Sequence, residues 1–173
     1  NTTRQKLKKV IIIISILICL IFLSGLITVS VSYNKYDLDI NRLTSTNNGV
    51  KVYSANGKDS TLYNTNRSII EIETLPKYVL DAFIDTEDKR FYSHNGYDLK
   101  RILKAGLVNM VNGSKSQGAS TISQQLIKNT LLTNEKTYSR KIKELVLSIK
   151  MEKQFEKDEI LEMYLNTIYF GSN

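Results

Sequence analysis

The stretch Leu75-Pro76-Lys77-Tyr78-Val79-Leu80-Asp81-Ala82-Phe83-Ile84-Asp85-Thr86-Glu87-Asp88-Lys89-Arg90-Phe91 decides how the rest of the chain is read. Pro76 suits the first turn of a helix, with Thr74 as its cap. Leu80, Phe83, Ile84 and Phe91 then recur at the i, i+3, i+4 and i+11 positions of one face, and Glu87 takes the i+7 position. Desolvating a carboxylate disfavours its charged form and raises its pKa, so a glutamate inside an apolar stripe is a candidate general base or acid near neutral pH. Asp88 falls about 100° further round and is expected on the solvated side. Fraying of the helix near residue 86 is the plainer alternative, in which Glu87 merely emerges at a loop.

Helical periodicity continues on the C-terminal side. After about 76–91 come segments near 98–111, 121–132 and 137–155 and a shorter one near 158–166, so the part beyond residue 75 is expected to be mainly α. Along 137–155, Ile142, Leu145, Val146 and Ile149 form one apolar stripe, while Arg140, Glu144, Leu147 and Met151 follow one another on the opposite side. Arg140 and Glu144 fit a solvated ion pair worth about 0.3–0.5 kcal/mol, or a pair facing a cleft, as Leu147 and Met151 on the same line suggest. Leu99 to Asn134 is 36 residues without Asp or Glu, carrying Lys100, Arg101, Lys104, Lys115 and Lys128. Within it, Gly118-Ala119-Ser120-Thr121 leads into a helix on which Thr121 and Gln124 have capping-box spacing. Free backbone amides there, the helix dipole and Lys128 would favour an anion such as a phosphate. Gln125 and Asn129 share a face with Ile122 and Leu126, so their amides are expected to turn inward toward a partner or ligand, a solvated polar face being the alternative.

Working toward the N-terminus, residues 32–48 read as a polar juxtamembrane linker. Val50 to Tyr53, the turn Ala55-Asn56-Gly57-Lys58 and Leu62-Tyr63 read as a small hairpin, and Ser68 to Ile72 as a further short strand. Asp37-Leu38-Asp39 has a form that can hold a metal, but a charged linker explains it as well. Val10 to Val31 is a run of 22 uncharged residues, 17 of them apolar. At about 1.5 Å per residue such a helix spans a hydrocarbon core of about 30 Å and reads as a retained anchor, a signal peptide cleaved near Ser30 or Ser32 being the alternative. Arg4, Lys6, Lys8 and Lys9 precede it, which places the N-terminus in the cytoplasm and the remainder outside. The domains expected are a basic tail at 1–9, an anchor at 10–31, a linker with short β segments at 32–74, and a helical domain at 75–173.

The 173 residues carry a net charge of +7, yet from residue 35 on there are 20 basic against 17 acidic residues, which does not describe a nucleic-acid binder. One cysteine, Cys19, and one histidine, His94, exclude an intrachain disulfide framework and speak against a Cys/His zinc site. Chemistry must rest on carboxylates, hydroxyls, amides and cations.

Four ordered motifs carry a resemblance. Glu87-Asp88-Lys89-Arg90-Phe91-Tyr92-Ser93-His94-Asn95-Gly96 resembles the first motif, E-D-x-x-F-x-x-H-x-G, of the family 51 peptidoglycan glycosyltransferases. Gly118 to Asn129 is similar to the second, G-x-S-T-I-x-Q-Q-x-x-K-N, Arg140-Lys141-Ile142-Lys143-Glu144 to the third, R-K-x-x-E, and Ile160-Leu161-Glu162-Met163-Tyr164-Leu165-Asn166 to the fourth. Ala119 stands where many members have glycine, and Ser123 where many have threonine.

The resemblance implies a lysozyme-like, mostly α domain with a membrane-proximal jaw, found in bacteria as a monofunctional enzyme or as the N-terminal part of a class A penicillin-binding protein. It implies polymerisation of lipid II into glycan strands with release of undecaprenyl pyrophosphate and inversion at the anomeric centre. Carried over by position, Glu87 would be the general base, and Glu144 would assist departure of the pyrophosphate, directly or by helping to hold a divalent cation such as Mg or Mn. Lys128, Arg140 and Lys143, with Lys136 and Lys104 as weaker candidates, would neutralise the pyrophosphate. Ser120, Gln124, Gln125 and Asn129 would hydrogen-bond sugar or phosphate, while Asp88 and His94 would support the loop. Implied partners are lipid II, the growing strand, the bilayer, and proteins of cell-wall synthesis or division. The family domain continues past Tyr169-Phe170-Gly171, so the resemblance also implies a C-terminally truncated domain. A lytic enzyme of lysozyme-like fold and a non-catalytic glycan-binding scaffold are the competing classes.

Overall fold

The computed structural model describes residues 2–44, 69–113 and 118–168, and divides after Asp37 into two units. The first is helix α1, Thr2–Lys35. The apolar run propagates the helix through its polar flanks, so α1 extends past both ends of the 10–31 segment. Two hydroxyls inside the run are satisfied locally, Ser24 Oγ donating to the carbonyl of Ile21 and Thr28 Oγ1 to that of Ser24, each at 2.8 Å. From Arg4 to Lys35 the helix is long and apolar enough to cross a membrane.

The second unit is mainly α, as its periodicity predicts. It comprises α2 (Ile40–Thr44), α3 (Lys77–Glu87), α4 (Leu99–Asn112), α5 (Ile122–Leu131), α6 (Tyr138–Met151) and α7 (Lys157–Thr167), with 3-10 turns at Ile72–Thr74 and Phe91–Ser93. Helix α5 is central, packing on α2, α6 and α7. Ile122, Leu126 and Ile127 of α5 meet a core built from Val146, Leu147 and Met151 of α6 and Ile160, Leu161 and Leu165 of α7, all buried. The line on α6 holding Glu144, Leu147 and Met151 is therefore a core-facing one, whereas Ile142, Leu145 and Ile149 are only half-buried.

Several expectations are corrected. The polar linker contains α2, opened by the Asp39 carboxylate, which accepts from Arg42 N at 3.0 Å, and held by a fully buried Leu43. The hairpin over 50–63 lies outside the described residues, and among the described residues there is no strand. Where a strand was expected over 68–72, Ile70 is instead paired with a side chain: its N–H donates to Asn166 Oδ1 and its carbonyl accepts from Asn166 Nδ2, both at 2.8 Å. One amide thus mimics a β-bridge on both backbone groups. Helix α3 ends at Glu87 rather than at residue 91, because Asp88 leaves the helical region (φ −159°, ψ 76°). Phe91 is still fully buried, but on a separate turn.

Candidate active site

The turn that ends α3 sets the site. Glu87 is the last helical residue and is half-buried, while Asp88 is 1% exposed. This reverses the expectation that Asp88 faces solvent, for a physical reason: the 100° helical step does not apply once the backbone has turned extended. Asp88 Oδ2 accepts from the backbone N–H of Ile122 at 3.1 Å and lies 2.9 Å from His94 Nε2. Arg101 Nη1 is 3.6 Å from Asp88 Oδ1 and also donates to the carbonyl of Glu87.

The N-terminus of α5 is consequently occupied from within. Thr121 Oγ1 accepts from Gln124 N, the Gln124 side chain accepts from Thr121 N, and Asp88 takes the first helical N–H. The capping box is as expected, but the anion expected at this dipole is the chain's own carboxylate. Gln124, 3% exposed, takes part in the cap and is not among the residues that line the Glu87 cleft. Gly96 closes the loop: its carbonyl accepts from Thr121 Oγ1 at 3.0 Å and from Ser148 Oγ at 3.2 Å.

Glu87 opens onto a cleft of about 700 Å³, lined also by Phe83, Thr86, Gln125, Asn129 and Tyr164. Gln125 Nε2 donates to Glu87 Oε2 at 2.9 Å, and Gln125 Oε1 accepts from the Tyr164 hydroxyl at 3.3 Å. Among the described residues no donor meets Glu87 Oε1. Burial, then the negative charges of Glu87 and Asp88, push the Tyr164 phenol up to about 12.

Glu144 is 1% exposed and engages both oxygens: Arg140 Nη1 donates to Oε2 at 2.6 Å and Lys141 Nζ to Oε1. Lys141 Nζ also donates to Ser120 Oγ at 2.9 Å, which ties Glu144 to the segment leading into α5. Glu144 does not line the Glu87 cleft. Both Glu144 oxygens already face a cation of the chain, and among the described residues no group of three or more His, Cys, Asp or Glu side chains that could hold a metal ion occurs, so the residues present do not form a protein-held site for a divalent cation. Lys128 and Lys136 are exposed, and Arg140 and Lys143 half-buried. Lys104 lies on a different cleft, of about 540 Å³, with Lys89, Arg90, Lys100 and Arg101.

Periodicity alone did not single out Tyr164, Lys141 or Arg101. Tyr164 had a signal, since it shares the apolar line of Ile160, Leu161 and Leu165 on α7 while bringing a hydroxyl into it. Lys141 and Arg101 had none apart from their charge.

A family model described as Transglycosylase matches residues 56–173. The chain is 42% identical over 168 residues to Penicillin-binding protein 1F of Bacillus subtilis (strain 168), covering 96% of this chain and 23% of that protein. It is 47% identical over 121 residues to Penicillin-binding protein 1A/1B of the same organism, covering 69% and 13%. Against Penicillin-binding protein 1A of Escherichia coli (strain K12) it is 47% identical over 123 residues, covering 70% and 14%. The chain thus spans less than a quarter of the length of these relatives.

Proposed function

The chain belongs to the transglycosylase family, and from that premise we propose that it carries a peptidoglycan glycosyltransferase site that polymerises lipid II. A sugar hydroxyl of the incoming lipid II attacks the anomeric carbon of the growing strand. Its proton passes to Glu87, the new C–O bond forms with inversion, and the bond to undecaprenyl pyrophosphate breaks. The observation that carries this reading is the contrast among three carboxylates. Asp88 and Glu144 are buried and engaged, whereas Glu87 has one oxygen held by Gln125 and lines the cleft. A base needs one lone pair fixed and one open.

Departure of the diphosphate is assisted by the Glu144 side of the domain, with Arg140 and Lys141 already gathered on that carboxylate and Lys128, Lys136 and Lys143 as further cations. Ser120, Gln125 and Asn129 supply hydrogen bonds to sugar or phosphate, and Asp88 and His94 hold the turn. The membrane is part of the site's surroundings. Helix α1 anchors the chain with its basic end in the cytoplasm, and α4 exposes Leu103, Leu107, Met110 and Val111 beside Lys100 and Lys104, the composition of a surface that rests on a bilayer.

The test is polymerisation of labelled lipid II by the full-length protein in detergent. Glu87→Gln should lower turnover by at least about 100-fold. Unchanged polymer yield would reject the base and favour a scaffold, and cleavage of finished glycan without polymerisation would favour a lytic enzyme.

A further inference from the structure

The Gln125 amide is used at both ends, and the two contacts come from different helices. Its Nε2 donates to Glu87 at the end of α3, and its Oε1 accepts from Tyr164 on α7. An amide rotated by 180° would set Oε1 against the carboxylate and Nε2 against the phenol. The ionised carboxylate only accepts and so takes Nε2, which leaves Oε1 for a donor, and the phenol supplies it as the second anchor of the amide. We propose that Tyr164 is a positioning residue for Glu87: its hydroxyl locks the Gln125 amide so that Nε2 stays aimed at the carboxylate, leaving the second oxygen open to the cleft.

This inference rests on the reading of Glu87 as general base. Tyr164 is suited to the task because it is itself immobilised, 2% exposed among the buried Ile160, Leu161 and Leu165 of α7. With its phenol pushed up to about 12, it remains a donor at any pH at which the enzyme would work. Among the described residues, Gln125 from α5 bonds the Glu87 carboxylate, Tyr164 from α7 feels the charges of Glu87 and Asp88, and Arg101 from α4 bonds the backbone carbonyl of Glu87 and not the carboxylate. A hydrogen bond donated to a carboxylate favours its ionised form. Loosening Gln125 should therefore show in the pH dependence of kcat/KM.

The experiment measures kcat and KM for lipid II polymerisation as a function of pH, using full-length protein and the variants Tyr164→Phe, Gln125→Ala, their combination, and Glu87→Gln. Tyr164→Phe is expected to lower kcat roughly tenfold with KM nearly unchanged, and to move the acid limb of the kcat/KM profile. The combined variant should be no worse than Gln125→Ala by more than about twofold, because the phenol acts through the amide. An unmoved acid limb in Tyr164→Phe, even with reduced activity or melting temperature, would mean a packing role and overturn the proposal. Independent, multiplying losses in the combined variant would overturn it too. If Glu87→Gln stays active, the underlying assignment of the base fails whatever Tyr164→Phe does.

Discussion

Three acidic side chains within the second unit have been given three environments by what surrounds them. Glu87 is half-open, Asp88 is enclosed at the first turn of α5, and Glu144 is enclosed between Arg140 and Lys141. The same scale governs Gly96, whose φ of +87° and whose crowded position leave no room for a side chain. A Cβ there would lie 2.8 Å from the backbone C and O of Ser148, so Gly96→Ala should destabilise the domain by at least about 2 kcal/mol, read as a lowered melting temperature. Tyr164 supplies a pH signature. Burial pushes its folded-state phenol up to about 12 from the usual value near 10, so its contribution to stability is complete below pH 10 and is lost as pH rises through 12. The phenolate absorbance lost on Tyr164→Phe should accordingly titrate near 12; titration near 10, as for an ordinary exposed phenol, would contradict the enclosed hydroxyl. At this scale the anomaly of Glu87 was visible as a carboxylate in an apolar stripe. The fate of Asp88 was not, because it depends on where the helix stops.

At the scale of elements, α5 is held at its start by residues from two other segments. Asp88 caps its first N–H, and Ser123 Oγ donates to Glu152, which follows α6. Glu152 is also 2.6 Å from Lys157 Nζ at the start of α7, and that ammonium sits 4.4 Å from the centre of the Phe91 ring. Asp88→Asn removes a negative charge from a helix N-terminus and weakens the bond to His94, so a loss of about 2 kcal/mol is expected in thermal or urea unfolding. Glu152→Gln leaves Lys157, 19% exposed, without its counter-charge and should cost roughly 3 kcal/mol. Indistinguishable unfolding of the two variants and the parent would show that neither carboxylate braces α5. The five helical segments beyond residue 75 were legible from their period, and the Thr121–Gln124 box from its spacing. That Asp88 fills the anion site at α5 was hidden, since 34 positions separate it from Ile122.

For the whole molecule, the two units make separable contributions. Removing α1 should strongly weaken membrane association, leaving only a residual contact through α4, and leave polymerisation of detergent-dispersed lipid II largely intact; equal loss in detergent would contradict an anchoring role. Leu103→Asp with Leu107→Asp on the exposed side of α4 should lower co-sedimentation with anionic vesicles in the anchor-free chain, and unchanged binding would remove α4 from the bilayer contact. What the amino-acid order determined by itself was local: the membrane-length apolar run, the helices, the capping box and the misplaced glutamate. Each depends on residues within a few turns of one another, and periodicity records such relations directly. Only the tertiary structure decided the partners: Gln125 for Glu87 across 38 positions, Tyr164 for Gln125 across 39, and Asn166 for Ile70 across 96. Those pairings follow from how helices dock around α5, and docking depends on the complementarity of whole surfaces, which no short window of sequence contains.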